Sequence, residues 1–116
     1  MATDEKHIVV LGSLNMDLVM QTSRIPAPGE TMHGDSFHTS PGGKGLNQAV
    51  AAARLLQGTR VQTHMVGRVG DDEFCDRLTA SLEAEGIDIS HVKQVKGKPS
   101  GVAVIIVSPL SALSSV

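Results

Sequence analysis

Apolar and polar positions change period several times along the chain, and each change marks an element. Ile8-Val9-Val10-Leu11 is an unbroken run rich in β-branched residues and closed by Gly12-Ser13. That is the pattern of a strand buried on both faces, as in parallel sheets, and it predicts a central first strand. Residues 17–22 and 31–39 are more polar extended segments, separated by the turn sequence Ile25-Pro26-Ala27-Pro28-Gly29, and they read as a peripheral ribbon. From Lys44 the period becomes helical: Leu46, Ala49, Val50, Ala53 and Leu56 share one stripe, and the helix is expected to end near Gly58. Residues 61–66 predict a second core strand, Gly67-Arg68-Val69-Gly70 a turn, and the acidic Asp71-Asp72-Glu73 the start of a helix whose Phe74, Leu78 and Leu82 face inward. Gly86 followed by Ile87 has the form of a left-handed helix cap. Residues 92–95 and 100–107 are extended around Gly97-Lys98-Pro99. The order predicts the α/β class with a largely parallel sheet.

Composition narrows the function. A chain of 116 residues holds at most one modest core. With 10 basic against 12 acidic side chains, no Trp, no Tyr and two Phe, it lacks both the charge and the stacking surface of a nucleic-acid binder. The single Cys75 excludes an internal disulfide and fits a reducing compartment. The amino terminus is charged, without a secretory signal, and the longest apolar run, 102–107, is far short of a bilayer span. No membrane partner is expected; the expected location is the cytoplasm, with the nucleus left open.

Chemistry concentrates in two places. Pro41-Gly42-Gly43-Lys44-Gly45-Leu46-Asn47 opens directly into the best helix. Its amides, backed by the helix dipole, can receive ligand oxygens, and Lys44 and Asn47 stand three apart on the first turn; the other reading is a glycine-rich turn with a solvated lysine. It is neither a Walker A loop nor a G-x-G-x-x-G loop, because the glycines fall at 42, 43 and 45. Asn15 and Asp17, one residue apart after the first strand, point to one side of an extended segment while Met16 points away. A carboxylate beside an amide can hold neighbouring hydroxyls of a polyol, although both residue types also form turns. The five histidines include no H-x-x-x-H pair, so no metal ligand is assigned. The stretch 67–72 is explained by a turn and a helix start.

Four segments then combine: Leu11-Gly12-Ser13-Leu14-Asn15-Met16-Asp17, Pro28-Gly29-Glu30-Thr31, Gly42-Gly43-Lys44-Gly45-Leu46-Asn47-Gln48-Ala49-Val50-Ala51 and Val66-Gly67-Arg68-Val69-Gly70-Asp71-Asp72. In order and spacing this set resembles the amino-terminal part of carbohydrate kinases of the ribokinase/pfkB type, most of all the ribokinase branch. The resemblance implies an α/β ribokinase-like sandwich with a small β-sheet lid. It also implies ATP-dependent phosphorylation of D-ribose to D-ribose 5-phosphate, with ATP, Mg2+ and a monovalent cation such as K+ as cofactors. It further implies that Asn15, Met16 and Asp17, together with Gly42, Gly43, Lys44, Gly45, Leu46 and Asn47, form the sugar-binding set. Residues 17–22, 31–39 and 100–107 become lid strands, and such lids pair into a homodimer in the family.

The family's Gly-Ala-Gly-Asp motif with its catalytic base, its Asn-x-x-Glu motif and its ATP pocket have no counterpart in this sequence, so no catalytic residue is carried over. The expectation is that residues 1–107 correspond to roughly the first third of such a kinase, with 108–116 a divergent Ser-rich tail from a truncated or mis-spliced frame. On that reading the chain alone is of low stability and inactive. The alternatives are a non-catalytic sugar-binding or lid-mediated interaction fragment, or a kinase for another sugar of the same family.

Overall fold

The computed structural model describes residues 4–109. Its elements run β1 (Lys6–Leu11), β2 (Asn15–Gln21), β3 (Ser36–Gly42), α1 (Lys44–Leu55), β4 (Val61–Gly70), α2 (Cys75–Ala84), β5 (Asp88–Val95) and β6 (Gly101–Val107). The α/β class is as the periodicity predicts. The strands divide into two three-stranded sheets, ordered β1-β4-β5 and β3-β2-β6. The first is wholly parallel; in the second, β2 runs antiparallel to β3 and parallel to β6.

Both helices pack on one face of the parallel sheet. Val10 of β1, Met65 of β4, Leu46 and Ala49 of α1 and Leu78 and Leu82 of α2 form one buried cluster, which Met16 of β2 joins. The helix ends follow local chemistry. The Asp72 carboxylate accepts from the Phe74 amide at 3.2 Å ahead of α2. After α2, Gly86 sits at φ +73°, its amide donates to the Glu83 carbonyl and the Ile87 amide to the Leu82 carbonyl, so the cap read from Gly86-Ile87 is present.

Three expectations need correction. Among the described residues β1 is an edge strand, not a central one, and its outer face is bare: Val9 is 62% and Leu11 78% exposed, because no described element covers the side of the sheet away from the helices. The second ribbon begins at Ser36 rather than 31 and continues through Pro41 to Gly42; a proline is tolerated there because β3 is an edge strand. Gly67-Arg68-Val69-Gly70 is the end of β4, not a turn. Its glycines serve close packing: a Cβ on Gly67 would lie 2.4 Å from the Leu14 side chain, and one on Gly70 2.2 Å from the Lys98 carbonyl. The stretch assigned to a tail begins with a buried Ser108 and from 110 on lies outside the described residues.

The second sheet is the peripheral ribbon of the sequence reading. Met16 and Leu18 on one face of β2 turn toward the core, leaving Asn15 and Asp17 on the other. Arg77 of α2 donates to the Thr39 hydroxyl of β3 at 2.7 Å and ties this sheet to the helices.

Candidate functional site

The site begins where β1 ends. Gly12-Ser13-Leu14 crosses to β2, and the first turn of α1 is seated directly on that crossing. A Cβ on Gly45 would lie 2.4 Å from the Ser13 nitrogen and one on Gly12 2.6 Å from the Gly45 Cα, so only two glycines permit the approach. The Leu46 amide donates to the Ser13 carbonyl at 2.9 Å and the Gly45 amide to the Ser13 hydroxyl at 3.3 Å. Two of the first-turn amides expected to meet a ligand are thus bonded to Ser13, which leaves the Lys44 amide as the open donor. Gly43, at φ +96°, makes the corner from β3 into the helix; a side chain there would also strike the Ser13 carbonyl at 2.8 Å.

Asn15 and Asp17 stand on β2, at the start of the second sheet, and not at the end of the first strand. In the ladder Asn15 lies between Gly42 of β3 and Gly101 of β6, and Asp17 between Ser40 and Ala103. A Cβ on Gly42 would lie 2.3 Å from Asp17 Oδ2, and one on Gly101 2.1 Å from Asn15 Oδ1. The carboxylate therefore leans over β3 and the amide over β6, each into space that a missing side chain leaves. Among the described residues neither polar group has a hydrogen-bond or ion-pair partner. The result is one acceptor group and one donor-acceptor group spread over a floor of small residues, a surface matched to adjacent hydroxyls.

Not all predicted residues meet there. Lys44 lines a cleft at the end of β1 with Leu11, Gly12, Ser13, Gly45 and Gln48. Asn47 lines a separate depression with Pro41, Val50, Arg54, Ser81 of α2 and Glu85 just beyond it, so the structure parts the two side chains expected to face one ligand. Met16 and Leu46 carry their side chains in the core, which confines any ligand contact to their main chain.

Other residues shape the site without a motif to announce them. Gly101, Ser40 and Ala103 become its floor only through strand pairing. Asp72 and Ser100 fix where β6 begins: the Ser100 amide and hydroxyl both donate to the Asp72 carboxylate at 2.7 Å, and the Gly70 amide donates to the Ser100 hydroxyl at 2.9 Å. These bonds, the Ser100 amide's foremost, hold the Asp72 carboxyl below its ordinary value. Asp71 secures the same turn by accepting from the Gly97 amide at 2.7 Å. The acidic stretch is structural, as its sequence suggests, but its target is the β5–β6 turn as well as the helix start.

Comparison with known proteins fits this geometry. Residues 5–111 match the model of the pfkB family carbohydrate kinases. The chain is 50% identical over 103 residues to a ribokinase of Schizosaccharomyces pombe, covering 87% of this chain and 32% of that protein. To a ribokinase of Bacillus subtilis it is 45% identical over 103 residues, covering 89% and 34%. It superposes on the ribokinase structure from Giardia lamblia with a TM-score of 0.79 at 40% identity, covering 91% of this chain and 31% of that one. On the Arabidopsis thaliana ribokinase complexed with ribose and ATP the TM-score is 0.77 at 32% identity, covering 91% and 33%. The chain spans about a third of the length of these relatives. With the match running through nearly all the described residues, and both sheets and the glycine-seated helix lying inside it, the chain belongs to the pfkB family of carbohydrate kinases.

Proposed function

We propose that this chain carries the sugar-binding part of a ribokinase-type enzyme, whose whole activity is ATP-dependent transfer of a phosphoryl group to the 5-hydroxyl of D-ribose. The observation that carries this reading is the unpartnered Asn15–Asp17 pair, set between Gly42 and Gly101 on the open face of the second sheet. Asp17 accepts hydrogen bonds from two neighbouring hydroxyls, Asn15 both donates and accepts, and Gly43 with the Lys44 amide borders the sugar at the corner from β3 into the helix. A general base must stand about 3 Å from the proton it removes; Asp17 is the only carboxylate of the assembled set, and it holds the sugar rather than activating it. The residues present do not fit a nucleotide, since the sequence has neither standard phosphate loop and Ser13 occupies the Gly45 and Leu46 amides. Nor do the described residues bring together three or more His, Cys, Asp or Glu suited to a cation. ATP, Mg2+ and K+ use belongs to the whole enzyme. Pairing of the second sheet with that of another copy, through the exposed β6, belongs to the same proposal.

Titration of the purified chain with D-ribose, followed by amide resonances, tests the reading. The expected shifts fall on Asn15 to Asp17, Gly42 to Gly45 and Gly101. Asp17→Ala is expected to weaken binding by about 1.5–3 kcal/mol, as for a charge-assisted hydrogen bond. Unchanged affinity in that variant refutes the assignment. Incubation with ribose and magnesium ATP is expected to yield no ribose 5-phosphate above the Asp17→Ala control, and product above it would place the chemistry inside this chain. Equal affinity for 2-deoxyribose would favour the second reading, a kinase for another sugar, since a deoxyribokinase of Salmonella typhi is 42% identical over 107 residues.

A further inference from the structure

At the opposite end of the parallel sheet, away from the sugar site, two histidines converge. His7 shares a face with Val9, and Val9 pairs with His64 across the β1–β4 ladder, so the two rings are diagonal neighbours on the side without helices. His7 Nδ1 lies 2.9 Å from His64 Nε2. Behind His64, its Nδ1 is 3.7 Å from Asp88 Oδ1, and His64 and Asp88 are direct partners in the β4–β5 ladder. Asp88 is itself held in place, accepting from the Ser90 amide at 2.9 Å and hydroxyl at 2.6 Å.

We propose that His7 and His64 form a two-imidazole site for a borderline divalent cation of the zinc, copper or nickel class, oriented by Asp88. The carboxylate favours the proton on His64 Nδ1, which leaves the Nε2 lone pair directed at His7. At 3.7 Å the carboxylate is an ion-pair neighbour rather than a hydrogen-bond partner, and its charge orients the ligating ring by favouring the tautomer with the proton on the near nitrogen. Without metal, His7 Nδ1–H donates to this lone pair. With metal, His7 takes its other tautomer, its proton on Nε2, and both facing nitrogens ligate with no net proton change. Zinc–nitrogen bonds of about 2.0–2.1 Å at a tetrahedral angle need nitrogens about 3.3–3.4 Å apart, a small opening of the present gap. No group of three or more His, Cys, Asp or Glu suited to a metal forms among the described residues, so water completes the coordination. Imidazole donors suit this class and not Mg2+, which prefers oxygen. The two histidines are 57 residues apart, and only the ladder register unites them.

The test is titration of the purified full chain with Zn2+, read by the 15N resonances of the imidazole nitrogens and by thermal melting, with Mg2+ alongside. Zn2+ is expected to shift His7 Nδ1 and His64 Nε2 and to raise the melting temperature, and Mg2+ to do neither. His7→Gln and His64→Gln should each weaken Zn2+ uptake at least about tenfold, and Asp88→Asn, which keeps both ligands, by about tenfold. Should either histidine variant fail to fold, the nitrogen shifts of the unaltered chain and the Asp88→Asn titration decide the matter. Uptake unchanged in the variants, shifts confined to His33, His38 or His91, or no uptake by the folded chain would each overturn the site.

Discussion

Gly42 has its importance through a neighbour two residues down the facing strand. The Asp17 carboxylate occupies the space a Gly42 Cβ would take, 2.3 Å from Oδ2, and the obstacle is the movable end of a side chain, not backbone. Gly42→Ala is therefore expected to leave the melting temperature nearly unchanged while ribose affinity falls about tenfold or more, the equivalent of one displaced charge-assisted hydrogen bond. Calorimetric titration beside a melting curve separates the two effects. At Asp72 the sign of the pH dependence follows from its bonds. Its carboxyl is held low in the folded chain, so the contribution is complete above the ordinary carboxylate value of about 3.9 and is lost as pH falls through the lower folded value. Amide exchange at Ser100 should accelerate as pH is lowered through that range, beyond the intrinsic trend, and Asp72→Asn should abolish the excess. The alternation around Met16 makes Asn15 and Asp17 legible in the sequence as a pair on one side. Gly42 is legible as part of the glycine cluster, but its pairing beside the two and the whole contribution of Gly101 are not, because that pairing spans up to 86 positions of chain and no local pattern encodes it.

At the scale of elements, the helices are the most legible part because their signals are local. The alanine-rich stripe of α1 and the Gly86-Ile87 cap of α2 both lie within a few residues of the structure they specify. Strand environment was harder to read. An apolar run such as Ile8 to Leu11 states that a strand suits a covered position, whereas its place in the sheet depends on which elements pack against it, and here α1 and α2 cover only one side. The same physics made Gly67 and Gly70 look like turn residues when their service is to let Leu14 and the β5–β6 turn come close. The helix-to-sheet contact is where stability concentrates. Leu78 is fully buried in the cluster that joins α2 to both sheets, and Leu78→Ala should cost about 2–5 kcal/mol in urea denaturation, the range for a core leucine that leaves a cavity. The exposed Arg54–Glu85 pair, which bridges the two helices, should be close to neutral when removed by Arg54→Ala.

For the whole molecule, shape and surface point the same way. The radius of gyration is 17.6 Å, against about 13 Å for a compact domain of this size, because the second sheet projects from the helix-backed core. Ile8, Val9 and Leu11 on β1 and Val102, Val104 and Ile106 on β6 are all exposed, and both strands are sheet edges. Open apolar edges invite pairing with further strands. The chain is expected to self-associate with rising concentration in size-exclusion chromatography with light scattering, and Val9→Lys with Leu11→Lys should reduce that association if β1 is the contact. A monomer at high concentration, with one sharp unfolding transition, would count against it.

The pairing of β2 also sets an order of events. One of its neighbours, β3, follows after the connection 22–35, whereas the other, β6, enters from some eighty residues further along and runs parallel. On a ribosome, where the amino-terminal portion emerges first, Asn15 and Asp17 gain their β3 wall early and stand beside an open edge until the segment from Gly101 is made. The proposed sugar site thus closes only once the segment from Gly101 is in place, and an arrested or slowed synthesis short of Gly101 would expose the edge of β2 rather than a half-built helix.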